Sequence, residues 1–161
     1  MSHLHELFDF VVSAFIIYQD KVLLIHHKQL NSWLPVGGHI ELDEDPQQAL
    51  FREVQEESGL SPENLIVLSD KLDFNSSRTK FLFTPNHLDV HQINPQHKHI
   101  GLIYFLTSNT SQIQLAQKEH HDIKWFSNHE LSSSKYQVFP EIQMYARKAM
   151  QAAQSNMETH T

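Results

Sequence analysis

Apolar positions run along this chain in two rhythms. Val11 to Tyr18 and Val22 to His26 are nearly continuous runs of aliphatic, β-branched and aromatic residues, with the polar triplet Gln19-Asp20-Lys21 between them. Runs of that length around a polar break predict a β-hairpin. Ile100 to Thr107 is apolar at successive positions, so it predicts a strand covered on both faces and central in a sheet. Leu65 to Leu68, Ile113 to Leu115 and Ile123 to Phe126 read as shorter strands, the last two around a polar loop from Ala116 to Asp122. Asn31 to Pro35 reads as a loop leading into Gly37-Gly38. Residues 72–97, with two prolines and scattered asparagines and histidines, show neither rhythm.

Helical spacing replaces alternation after Asp45. Asp45 suits an N-cap, Pro46 the first helical position, and Gln48 completes a capping-box spacing, so a helix is predicted to about Ser58 with Gly59 as its terminator. Pro140 opens a second helix to about Ala153, with residues 154–161 expected to fray. Strands on either side of a strong helix, closed by a terminal helix, predict an α/β sandwich around a mixed sheet. With no linker or internal repeat, residues 1–161 read as a single domain.

Composition narrows the function. Nineteen acidic residues against twelve lysines and arginines give a net charge of −7. That balance argues against nucleic acid or an anionic membrane as partner, since both call for a basic face. The apolar run Val11 to Tyr18 is too short to span a bilayer and lacks a basic flank or cleavage signal, so a cytoplasmic protein is expected. The absence of cysteine excludes disulfides and thiolate metal sites. Thirteen histidines make the net charge unusually sensitive to pH near 6.

Within the first helix, Glu53, Glu56 and Glu57 lie at i, i+3 and i+4, on one face. Like charges at this spacing repel, and a divalent cation between them removes the repulsion. A solvated acidic face is the plain alternative. The neighbouring stripe of Leu50 and Val54, with Phe51 beside it, should pack inward.

The flanks decide between these readings. Gly38, five residues, Glu44, seven residues, then Arg52-Glu53-Val54-Gln55-Glu56-Glu57-Ser58-Gly59-Leu60 resembles the Nudix box, G-x5-E-x7-R-E-U-x-E-E-x-G-U with U aliphatic. A chance match in this chain is on the order of 10⁻⁷ from average residue usage. The resemblance, to MutT-like Nudix hydrolases, implies a Nudix-type α/β/α sandwich with a mixed central sheet. It further implies metal-dependent hydrolysis of a pyrophosphate bond in a small nucleoside diphosphate derivative, with Mg²⁺ or Mn²⁺. By position it implies Glu56 and Glu57 as the main metal ligands, and Glu53 as a further ligand or the base. Gly37 matches the residue whose carbonyl joins the metal shell. Arg52 matches the arginine that orients the catalytic carboxylates, and Glu44 the acid that pairs with it. Read from the residues alone, Arg52 and Glu44 favour a structural ion pair over direct phosphate contact.

The family often adds one more acid from a loop near the last strand. Glu119 is the candidate, with a plain loop acid the equal alternative and Asp122 and His120 as weaker rivals. Trp125, four residues, then Glu130-Leu131 resembles the usual close of the fold. Leu88-Asp89-Val90-His91 with His97-Lys98-His99 is similar to a pattern in a subgroup of bacterial Nudix proteins, although Gly101 stands where that subgroup has Asp. His97 and His99 share one side of a strand and read as polar packing or pocket lining, with a Zn²⁺ site as the less favoured reading. Trp33, just before the glycine pair, is the aromatic chosen to stack a base.

The expected partner is therefore a small nucleotide: a triphosphate such as an oxidised deoxynucleotide, a nucleotide sugar or ADP-ribose type, or a dinucleoside polyphosphate. The competing reading is a non-catalytic nucleotide-binding module. A homodimer is left open, since many members of the family dimerise.

Overall fold

In the computed structural model, which describes residues 7–118 and 120–159, the apolar runs become strands of one eight-stranded sheet. The expected hairpin forms from β1 (Phe8–Tyr18) and β2 (Lys21–His27), with Tyr18 opposite Lys21 and the reversal made at Gln19, φ 55°. β3 (Ser32–Leu34) and β4 (Val36–His39) follow. A helix, α1 (Pro46–Ser58), then leads through one 3-10 turn to β5 (Leu65–Val67). β6 (His87–Asn94), β7 (His97–Ser108) and β8 (His120–Ser127) complete the sheet, and α2 (Asn128–Leu131) and α3 (Pro140–Thr159) end the chain.

β1 and β7 form the spine. They run parallel in register from Phe8 beside Lys98 to Ile17 beside Thr107, while the other pairings are antiparallel, so the sheet is mixed. β7, the strand expected to be central, has β1 on one edge and β5 and β6 on the other. The free edge of β1 is shared between β2 at its end and β4 at its beginning.

The two faces carry separate cores. Val12, Ala14, Ile16, Tyr104 and Leu106 pack with Ala49, Leu50 and Val54 of α1. Phe15, Ile17, Ile103 and Phe105 pack with Ala146, Ala149 and Ala153 of α3. Each fully buried aliphatic side chain contributes roughly 1.5–3 kcal/mol. The inward stripe of α1 is the one expected, Leu50 and Val54 with Phe51 partly covered. Its ends are also as expected. Asp45 accepts from the amides of Gln47 and Gln48, Gln48 closes the box, and Gly59 at φ 71° ends the helix. The layers make the expected α/β/α sandwich.

Three local expectations are corrected, and one unassigned stretch gains a strand. Ser32–Leu34 is a strand rather than loop, because β2 offers it a ladder edge. Residues 113–115 do not form a strand: the Gln114 amide donates to the Ser58 carbonyl and caps the end of α1 instead. The stretch without rhythm contains β6, whose largely exposed face explains the missing signal. α3 continues past Ala153 to Thr159, where Ser155 and Thr159 hydroxyls bond back to Gln151 and Ser155 carbonyls. Among the described residues no helix is long and apolar enough to cross a membrane.

The W-x-x-x-x-E-L close ties β8 to the rest. The Trp125 indole donates to the Ser111 carbonyl at 3.0 Å. Glu130 caps α2 through the Ser127 amide at 2.9 Å and pairs with Lys124 at 2.9 Å. The Lys124 ammonium, then the Ser127 amide, hold the Glu130 carboxyl down at about 2. An unfolded glutamate titrates near 4.5, so this contribution is complete above that value and is lost as the pH falls toward about 2. Glu130→Gln should lower stability by about 1 kcal/mol at neutral pH, and the gap from the parent should close on acidification. Urea midpoints measured across that acid range check it.

Candidate functional site

The site begins where β4 lies beneath α1. Gly37 sits at φ +155°, and a Cβ there would fall 2.1 Å from the Val12 carbonyl oxygen, so no side chain fits. Gly38 faces the helix, where a Cβ would stand 2.3 Å from Glu53 Oε1. The glycine pair thus lets the strand backbone run directly under the carboxylates.

Glu57 is buried, at odds with a solvated helix face. The Gly37 amide donates to its Oε2 at 2.8 Å, and the His120 ring Nε2 lies 2.8 Å from its Oε1. A buried carboxylate needs such partners, because leaving it unpaired is costly. His120 is itself fully buried, its ring 5.6 Å from that of His27.

Arg52 binds the acids together. Its Nε and Nη2 reach the two Glu44 oxygens at 2.5 and 2.9 Å, a bidentate pair. Nη1 donates to Glu53 at 2.9 Å and Glu56 at 3.1 Å, and Nη2 also reaches the His39 carbonyl at 3.0 Å. The Glu44 hydrogen bonds raise the Arg52 pKa, and the same bonds hold the Glu44 carboxyl low. The ion-pair reading of Arg52 and Glu44 matches this geometry.

Glu53, Glu56 and Glu57 thus share one side of α1 as hard oxygen donors with no imidazole or sulfur among the three: Glu53 lies at Gly38, Glu57 on the Gly37 amide, and Glu56 reaches Arg52. Such a set fits Mg²⁺ or Mn²⁺. Glu56 is the exposed member, so the group is open to solvent.

His120 is the partner that sequence reasoning ranked low. The signal available was its position in the loop before the last strand, beside the favoured Glu119. Glu119 itself lies outside the described residues. Trp33 is placed in the α3-side core, with the rings of Phe126, His26 and Tyr136 centred 4.8, 5.1 and 6.0 Å from its own. Only 7% of it is exposed, leaving its ring no open face for a base.

His97 and His99 do share one side of β7, that facing α3, with their rings 5.2 Å apart. Their surroundings are polar. His97 Nε2 lies 3.0 Å from Asp9 Oδ2 and His39 Nε2 3.4 Å from the same atom. The His99 ring is 4.9 Å from that of His39 and 5.3 Å from that of His91. Burial, then the imidazoles of His39, His91 and His97, push His99 down to about 4. The departure at Gly101 also has a cause here. Asp89, anchored by the Tyr145 hydroxyl and His91 Nδ1 at 2.9 Å each, fills that space, and a Cβ on Gly101 would meet it at 2.6 Å.

Comparison with known proteins follows the same lines. The NUDIX domain family model matches residues 8–148. The probable DHNTP pyrophosphohydrolase of Lactococcus lactis subsp. cremoris (strain MG1363) is 30% identical over 105 residues, 65% of this chain and 57% of that protein. The chain thus matches little more than half the length of that curated relative. A NUDIX-family hydrolase from Clostridium perfringens superposes with a TM-score of 0.78 at 32% identity, covering 92% of this chain and 98% of its own. The MutT NUDIX hydrolase of Burkholderia pseudomallei shares the fold at a TM-score of 0.62 and 16% identity, over 88% of this chain and 98% of its own. With the complete box folded into loop, helix and loop and the family model matched over most of its length, this chain belongs to the Nudix hydrolase family.

Proposed function

We propose that this chain hydrolyses a pyrophosphate bond in a small nucleoside diphosphate derivative, using Mg²⁺ or Mn²⁺ held by Glu53, Glu56, Glu57 and the Gly37 carbonyl. The observation that carries this reading is Glu57, a buried carboxylate fixed between the Gly37 amide and His120. Folding an ionisable group inward at that cost is a feature of working sites more often than of solvated helix faces.

The bound cation would neutralise phosphate charge and acidify water. The chain's own residues then have distinct tasks. Arg52 holds Glu53 and Glu56 from one side, so their rotamers are set before substrate arrives. Glu44 anchors Arg52, which keeps the guanidinium from competing for substrate phosphate. Glu53, beside Gly38, is assigned the proton of the attacking water. His120 is a positioning residue, acting through Glu57.

The net charge of −7 favours a free nucleotide over an RNA end. The name of one relative, a probable DHNTP pyrophosphohydrolase, adds DHNTP to the substrate candidates, beside the dinucleoside polyphosphates. Loops outside the box decide among these and the oxidised triphosphates and nucleotide sugars.

Ion-exchange analysis of products from a panel of these compounds, with Mg²⁺, tests the reading. Release of a monophosphate from one class is the expected result, and silence with tight nucleotide binding would move the chain to the binding-module class. Glu57→Gln should cut turnover by at least ~10²-fold with an unchanged circular dichroism spectrum. His120→Gln should lower kcat by roughly tenfold while leaving KM within about twofold, as a residue acting through another does.

A further inference from the structure

The alternation of β4 sends neighbouring residues to opposite faces of the sheet. Gly38 opens toward the carboxylates of α1, while His39 turns to the α3 side, where Asp9 and His99 also lie. Register explains the meeting. Asp9 pairs with His99 across β1 and β7, and His39 pairs with Val11, two residues further along β1. We propose that Asp9, His39 and His99 form a second metal site, of the zinc class, separate from the carboxylates of the box.

One ligand atom from each of these three residues lies within 4.8 Å of the others. A tetrahedral zinc ion with bonds near 2.0–2.1 Å sets its ligands about 3.4 Å apart. The His39 Nε2 to Asp9 Oδ2 distance of 3.4 Å already meets that spacing. His99 closes the remainder by rotation of its ring. Asp9 is nearly buried and held in place by His97 Nε2 at 3.0 Å, the arrangement by which an outer imidazole orients a ligating carboxylate.

Chemistry separates the two sites. Two imidazoles and one carboxylate suit zinc, copper or nickel, whereas the all-oxygen set on α1 suits magnesium. Three protein ligands leave a fourth position, and His39, with 43% of its side chain exposed, keeps that position open to solvent. The ion would join the beginnings of β1 and β7 to the end of β4. Because Arg52 holds the carbonyl of the same His39, the ion would also brace the segment leading to Glu44.

The test uses tag-free protein stripped with chelator, then titrated with Zn²⁺ alone. One equivalent should bind per chain with submicromolar Kd, and the thermal midpoint should rise by roughly 5–10 °C at a hundredfold excess over Kd. Co²⁺ in its place should give the visible absorption of a four-coordinate site. His39→Gln, at an exposed position, and His99→Gln should each weaken zinc binding by at least about a hundredfold. Glu57→Gln and the exposed His129→Ala should leave it unchanged. Binding that survives both His39→Gln and His99→Gln, or that is lost in Glu57→Gln, would overturn the proposal. So would the absence of an equimolar site.

Discussion

A single guanidinium holds the carboxylate-bearing turn of α1 against the loop that feeds it. Arg52 touches Glu44, Glu53, Glu56 and the His39 carbonyl at once, and each contact constrains a different piece of chain. Without it, glutamates at i, i+3 and i+4 would repel one another and the turn would open. The burial of Glu57 depends on the same alignment, because Gly37 and His120 meet it only when α1 lies flat along β4. The electrostatic strain of the site is thus met by one planar group with donors in a fixed fork, a task that a lysine's point charge does not perform.

The parts of the fold legible in the sequence are those encoded by local physics. Asp45, Pro46 and Gln48 specify the start of α1 through groups within four residues of one another, and Gly59 specifies its end through its own backbone. The central place of β7 follows from its apolar character on both faces. What stayed illegible depends on partners far away in sequence. Ser32–Leu34 becomes a strand only because β2 presents an edge, and β6 carries mostly exposed side chains along a ladder with β7. Residues 113–115 have a strand's composition, yet the open carbonyl of Ser58 claims the amide of Gln114.

The site divides in the same way. The box carboxylates, Arg52 and Glu44 were readable from spacing, since a helix converts spacing directly into a shared face. The contact of His120 with Glu57 was not, because it arises from β8 arriving beside α1, 63 residues after Glu57. Trp33 illustrates the reverse error: closeness in sequence to the glycine pair did not place it on the same face of the sheet, and its ring packs with Phe126 and Tyr136.

The parallel ladder of β1 and β7 has a consequence for how the molecule assembles. Partners such as Phe8 and Lys98, or Ile17 and Thr107, are separated by about ninety residues, so the spine closes a long loop before any of its contacts are rewarded. The hairpin of β1 with β2 and the capped α1 helix are local and form early by comparison. β4 docks on β1 after β2 and β3 have intervened in the chain, but the histidine end of the sheet is complete only when β7 arrives. The hydrogen bonds of Arg52 within the box are therefore close in sequence, whereas the cores on both faces of the sheet take in residues of β7 and are complete only when it arrives.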